Sequence, residues 1–160
     1  TVKVNGKPLD GAKRGEYFAI RRRWSANDKI ELSFDMTTHL LKANPAVADD
    51  RGRVAFQRGP VVFCMEHLDQ PNQSDDKDLT RYRVNIAAKT TSQFDPHLLD
   101  GVIALEHPGY IGSAHPNLYY SSATAEKAQE SPTTVKLIPY YAWANRDPAA
   151  MQVWIPYERT

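Results

Sequence analysis

The stretch "KIELSFDM" sets Ile30, Leu32, Phe34 and Met36 on one side of an extended chain and Glu31, Ser33 and Asp35 on the other. Strand side chains alternate between faces, so this pattern predicts a strand with one buried side. "TVKVNGK" places Val2 and Val4 ahead of Asn5-Gly6, a dipeptide that accepts the positive φ angles of a tight hairpin turn. "MQVWIPY" alternates Met151, Val153 and Ile155 against Gln152 and Trp154. Shorter strands are predicted over residues 17–24, 54–58, 61–66, 81–86, 102–106 and 134–140. Between them fall many of the 11 prolines and 8 glycines, as in Gly59-Pro60, His107-Pro108-Gly109 and His115-Pro116. Helical periodicity is weak everywhere, and the best candidate is a short piece at 124–129. Many short strands separated by frequent turns predict an all-β fold, a β-sandwich or jelly-roll-like arrangement containing parts of two packed sandwiches.

Two stretches interrupt the pattern. "KANPAVADDRGR" (42–53) reads as a connector, and "DQPNQSDDKD" (69–78) as an exposed polar loop. No repeat of fixed period is present.

Composition narrows the classes of function. The chain has 160 residues and a formal net charge of +1, from 20 Lys+Arg and 19 Asp+Glu. That balance gives no electrostatic case for nucleic acid or an anionic membrane. Arg21, Arg22 and Arg23 are adjacent, so in a strand they would split between faces and form no basic stripe. The longest apolar runs, such as Val61 to Met65, are far too short to cross a bilayer. A single cysteine, Cys64, allows no internal disulfide. The opening "TVKVNG" lies within a strand pattern and lacks an initiator Met, which is the expectation for a piece of a larger protein.

The sharpest chemical question is "VVFCMEH", which gathers Cys64, Glu66 and His67. In a strand, Cys64 and Glu66 share a face while His67 points away, so three ligands would converge on a metal only at a bulge. A thiol within an apolar run behaves as a small hydrophobe, and burial makes it a poor nucleophile. The structural reading is therefore preferred. Glycoside hydrolysis needs two carboxyl groups about 5 to 10 Å apart. Glu66, Asp95 and Glu106 can be nominated, but no spacing singles them out. His39, His67, His97, His107 and His115 are scattered without a ligand spacing. Asn72-Gln73-Ser74 fits a glycosylation acceptor, a triplet common by chance. Among aromatics, Trp24, Trp143, Trp154 and the pairs Tyr119-Tyr120 and Tyr140-Tyr141 could stack on a sugar ring. Tyr119, Tyr120 and Trp24 are the carbohydrate-binding candidates, whereas Trp143 and Trp154 are expected to pack between sheets.

"GRVAFQRGPVVFCME" (52–66) and "LIPYYAWANRDPAAMQVWIPY" (137–157) resemble the non-catalytic C-terminal region of glycoside hydrolase family 127, the β-L-arabinofuranosidase family. "VNGKP…GEYFAIRRRWSANDKIELSFDMT" resembles the segment that precedes it there. The resemblance implies an N-terminal (α/α)6 barrel carrying a zinc-bound cysteine nucleophile, further cysteine ligands and glutamates, followed by two β-sandwiches. With one cysteine and no barrel-length helical pattern, nothing catalytic carries over residue by residue. The zinc is expected on the barrel and no cofactor on this chain. The resemblance further implies that residues 1–48 belong to a first sandwich and 49–142 to a second, with 143–160 returning to the first. The expected function is a non-catalytic accessory region that braces the barrel, contributes to subunit contacts such as a homodimer, and comes from a bacterial enzyme. The alternative is a carbohydrate-binding module for arabinose-containing glycans.

Overall fold

The computed structural model describes residues 1–13, 15–71, 78–112 and 130–158. Tyr119, Tyr120, His115, the 124–129 helix candidate and the Asn72-Gln73-Ser74 triplet lie outside the described residues.

The chain divides into two compact units, Thr1–Thr37 and Thr38–Thr160. In the first, β1 (Val2–Val4), β2 (Lys7–Leu9) and β3 (Ile30–Leu32) form an antiparallel sheet in the order β2-β1-β3. The hairpin turn is the predicted one, with Asn5 at φ 53° and Gly6 at φ 75°. The expected strand at 17–24 does not form. Arg22 and Ser25 there are tied to Asp28, whose Oδ2 accepts from Ser25 N–H at 2.8 Å, so the segment closes a polar loop. Asn5 also donates to Asp28 at 2.6 Å, and these bonds hold the Asp28 carboxyl below its ordinary pKa. The predicted strand from Ile30 stops at Leu32, and its apolar face is exposed rather than buried.

Among the described residues, the second unit contains nine strands. They are β4 (Thr38–Lys42), β5 (Arg53–Arg58), β6 (Val61–Glu66), β7 (Tyr82–Asn85), β8 (Thr91–Asp95), β9 (Val102–Gly112), β10 (Glu130–Pro139), β11 (Met151–Gln152) and β12 (Ile155–Glu158). Six of them close into a ring in the order β5-β6-β10-β9-β7-β12 and back to β5. Every pairing in it is antiparallel except β12 with β7. β4, β8 and β11 attach to β5, β9 and β6. The all-β expectation is met, with the facing sheets realised as opposite walls of one closed sheet, which has no interior edge to leave unpaired.

Alternation places the core. Val54 and Phe56 of β5, Phe63 and Met65 of β6, and Leu105 of β9 point into the ring and are at most 2% exposed. Each such large side chain contributes roughly 1.5–3 kcal/mol relative to exposure. Gly109 marks where β9 crosses close to β7, because a Cβ there would lie 2.3 Å from the Arg83 carbonyl oxygen.

Two expected boundaries shift. Residues 38–42 pair along the full length of β4 with β5, so the division falls at Thr37/Thr38 and not at 48. The described part of the 143–160 segment, expected to return to the first sandwich, falls in the second unit. β11 and β12 pair with β6, β5 and β7, and Ile155, fully buried, completes the ring's core.

Candidate functional site

The face of β6 opposite the core carries Cys64 and Glu66, and both are buried, at 0% and 1% exposure. Burial pushes the Cys64 thiol up to about 12, with the Glu66 and Asp69 charges adding to the effect. Such a thiol is protonated at neutral pH and inert as a nucleophile or a metal ligand. The cover over this face comes from a residue that sequence reasoning missed, Arg146. Its guanidinium forks onto Asp69, with Nη1 to Oδ1 at 2.8 Å and Nη2 to Oδ2 at 2.6 Å, and Nη2 also donates to Glu66 Oε2. Paired carboxylates hold the guanidinium more firmly protonated than usual, the Asp69 bonds being the largest cause. Beside this triad, the Gln70 amide donates to the carbonyl oxygens of Glu66 and Lys136, each at 2.9 Å, and ties β6 to β10. Glu66 is therefore an anchor for the 140–150 segment. It does not act as an accessible acid.

His107 is a further buried titratable group, 0% exposed. Its Nε2 lies 2.8 Å from the Asn85 carbonyl oxygen, which can only accept, so Nε2 carries the proton. Nδ1 then accepts from the Thr90 hydroxyl at 2.8 Å, and Phe56 meets the ring edge-on at 5.0 Å. Burial lowers its pKa, which keeps the imidazole neutral. His67 is 8% exposed at the end of β6, and His97 is exposed in the loop after β8.

The remaining nominated carboxylates share a cleft without meeting, because Glu106 pairs with Thr91 and Asp95 with Val102, four rungs along the β8–β9 ladder. Asp95 and Glu106 line one cleft of about 310 Å³ together with Lys136. Asp95 accepts from His97 N–H at 3.0 Å and Leu98 N–H at 3.2 Å, and Lys136 lies 3.4 Å away. Those bonds, the His97 backbone first, hold the Asp95 carboxyl below its ordinary value. A glycosidase acid requires the opposite shift. A second open cleft, of about 570 Å³, adjoins the first through His97 and is lined by Tyr141, Asn145, Arg146 and the Leu99-Asp100-Gly101 loop. Trp24, nominated for sugar binding, has the Arg22 guanidinium 5.1 Å from its ring centroid. Trp143 is 37% exposed and stacks on Tyr140 at 6.1 Å.

The described residues offer zinc no ligand set. Among the described residues no three His, Cys, Asp or Glu side chains are grouped to hold a metal, and the one cysteine is buried with its proton retained.

The closed sheet and the separate three-stranded sheet define an all-β chain of two compact units. The chain belongs to glycoside hydrolase family 127. Residues 38–156 match the glycoside hydrolase family 127 C-terminal domain, and residues 1–36 match the family's β-L-arabinofuranosidase middle domain. A non-reducing end β-L-arabinofuranosidase from Bifidobacterium longum subsp. longum is 34% identical over 159 residues, 96% of this chain and 23% of that protein. Among solved structures, a family 127 β-L-arabinofuranosidase from Geobacillus stearothermophilus T6 is similar with a TM-score of 0.71 and 32% identity. It is covered over 24% of its length by 98% of this chain. A second family 127 β-arabinofuranosidase gives a TM-score of 0.73 at 32% identity, with 98% of this chain covering 23% of it. The chain thus spans about a quarter of the length of the relatives it matches.

Proposed function

We propose that this chain is the non-catalytic accessory β-region of a β-L-arabinofuranosidase-like hydrolase, bracing a catalytic (α/α)6 barrel that holds the cysteine–zinc chemistry, in a bacterial enzyme that pairs as a homodimer. The observation that carries this reading is the disposition of Cys64 and Glu66. Both are sealed inside the domain, one protonated and the other bound to Arg146. Bracing is a matter of buried apolar area, and the second unit supplies a stiff closed sheet for it.

The test is an assay of the 160-residue chain on an aryl β-L-arabinofuranoside. No turnover is expected, and turnover abolished by Cys64→Ser or Glu66→Gln would sink the reading. Added to the separately produced barrel of such an enzyme, the chain is expected to slow thermal inactivation of the barrel. An unchanged inactivation rate would count against bracing.

A further inference from the structure

The chain crosses over β6 on its way between two of that strand's neighbours. β10 pairs with β6 at Phe63 and Cys64, and β11 pairs with it at Met65 and Glu66 on the opposite edge. Residues 140–150 join those two strands, so they have to pass over one face of β6. Phe63 and Met65 fill the inner face as part of the core, which leaves the outer face, with Cys64 and Glu66. Cys64, Ile138 opposite it on β10, and Ala104 on β9 are all buried, yet none belongs to the core cluster inside the ring. They form a second, thinner apolar layer, and the crossing segment covers it.

Little apolar burial holds that cover down. Its aromatic side chains, Tyr140, Tyr141 and Trp143, are exposed, and Ala142 is its one buried side chain. A segment with so few buried apolar contacts sits at the low end of local stability. Charge fastens it instead, through the Arg146 bonds to Asp69 and Glu66. The fastening is incomplete, since Glu66 Oε1 and Arg146 Nε are buried without a partner among the described residues. An unpaired buried polar atom is costly, and lifting the segment would return both to water. Ala144, at φ 61°, adds strain that lifting would also relieve. On one flank the segment borders the open cleft of about 570 Å³ shared with the Leu99-Asp100-Gly101 loop, which leaves it room to move. Internal bonds keep its first half together: Trp143 N–H donates to the Tyr140 carbonyl oxygen at 3.2 Å, and Asn145 Nδ2 to that of Ala142 at 3.0 Å. At the far end, His67 N–H donates to the Ala150 carbonyl oxygen at 3.0 Å beside the β11 pairing. We propose that residues 140–150 are a hinged cover, latched by Arg146, that lifts from β6 while the ring stays folded and uncovers the face made by Cys64, Ile138 and Ala104. The hinges are the pairings of β10 and β11 with β6. The device lies within the second unit and holds whether or not the chain braces a barrel.

Cys64 is the only cysteine, so its thiol reports the cover directly. The test is the rate at which the 160-residue chain reacts with dithiobis(nitrobenzoate) at about pH 8, at urea concentrations below the unfolding transition. The wild-type thiol is expected to react far more slowly than an unfolded one. Lifting exposes little surface, so that rate should be nearly independent of urea. Arg146→Met should speed labelling by on the order of 100-fold. Ile155→Val weakens the core of the ring, and should lower the urea midpoint while leaving the labelling rate unchanged. The proposal is overturned if wild-type labelling climbs with urea as steeply as global unfolding, or if Ile155→Val speeds it in step with the stability lost. Either result would mean that the thiol is reached only when the whole chain unfolds. A thiol that reacts as fast as a free one would show that nothing covers it, and unchanged labelling in Arg146→Met would show that the arginine is no latch; each overturns the proposal as well. Should Arg146→Met fail to fold, the urea dependence of the wild type and the Ile155→Val rate still decide.

Discussion

Two stretches with the same alternation end in opposite places. In "RVAFQR", Val54 and Phe56 are sealed in the ring at 1% and 0% exposure. In "KIELSFDM", Ile30, Leu32, Phe34 and Met36 are 50%, 60%, 61% and 39% exposed. The pattern of a strand states which side wants cover, and only the partner strands decide whether cover is present. β5 has three partners, β4, β6 and β12, and its apolar face looks across a closed sheet. β3 pairs with β1 in a sheet of three strands, where Val4 is the buried apolar residue. A unit of that size cannot enclose a core from its own residues.

The largest effects should come from breaking the sealed side of this comparison. Phe56→Ala removes a fully buried ring between β5 and His107 and should cost about 3–5 kcal/mol, read from the urea midpoint. Gly109→Ala should be of similar severity, because the clash is with the backbone of β7, which cannot swing away as a side chain would. If either variant unfolded at the wild-type urea concentration, the ring would not be the unit's stabilising core.

Next in size is the triad on the outer face of β6. Arg146→Met leaves Glu66 and Asp69, whose side chains are 1% and 4% exposed, without their cation. Stranding buried charges in this way costs about 3 kcal/mol or somewhat more. Replacing all three groups together, as Glu66→Leu, Asp69→Leu and Arg146→Met, should recover most of that loss. A triple variant as unstable as the single one would show that the triad does more than neutralise itself.

These two regions were unequally legible in the sequence. β5 and β6 could be read to within a residue because "VAF" and "VVFCM" are bounded by Gly52 and the Gly59-Pro60 turn, with Gly59 at φ 57°. β4 escaped because Leu40 and Leu41 are adjacent and spoil the period. β8, "TSQFD", is polar apart from Phe94 and takes its order from β9. Residues 17–24 showed strand composition without a partner to pair with. Burial of Cys64 was readable from its apolar run, whereas Arg146 was not, since its partners lie 77 and 80 positions earlier and nothing local in "WANRDP" signals them. The parallel pairing of β12 with β7 that closes the ring was invisible for the same reason. Local pattern reports the strand, while closure and ion pairing are properties of the assembled sheet.

A smaller effect follows from His107. Its folded pKa is depressed by burial, below the value of about 6.5 that it has when unfolded. Between those two values the unfolded chain binds the extra proton and the folded chain does not, so stability rises with pH there. The contribution is complete above about pH 6.5 and is lost as pH falls through that value toward the folded pKa. Urea midpoints at pH 7.5 and pH 5.5 should therefore differ more for the wild type than for His107→Gln. Equal differences would mean that the imidazole is not held neutral by its site.

The smallest effect on stability is expected where the alternation is uncovered, and it sharpens the comparison most. Phe34→Ser alters a side chain that is 61% exposed, and substitutions at such positions change stability by about 0.5 kcal/mol or less. Its consequence should appear in association instead. Four exposed apolar side chains close together in the sequence of one unit favour contact with another apolar surface, and at high concentration a second copy of the chain supplies one. Sedimentation velocity should show the wild-type chain gaining mass as concentration rises, with Phe34→Ser shifting that rise to higher concentration and Leu32→Lys combined with Phe34→Ser removing it. A wild-type chain that sediments as one monomer throughout would show that exposure of Ile30, Leu32, Phe34 and Met36 carries no adhesive consequence. The same alternation would then mean burial in β5 and nothing at all in β3.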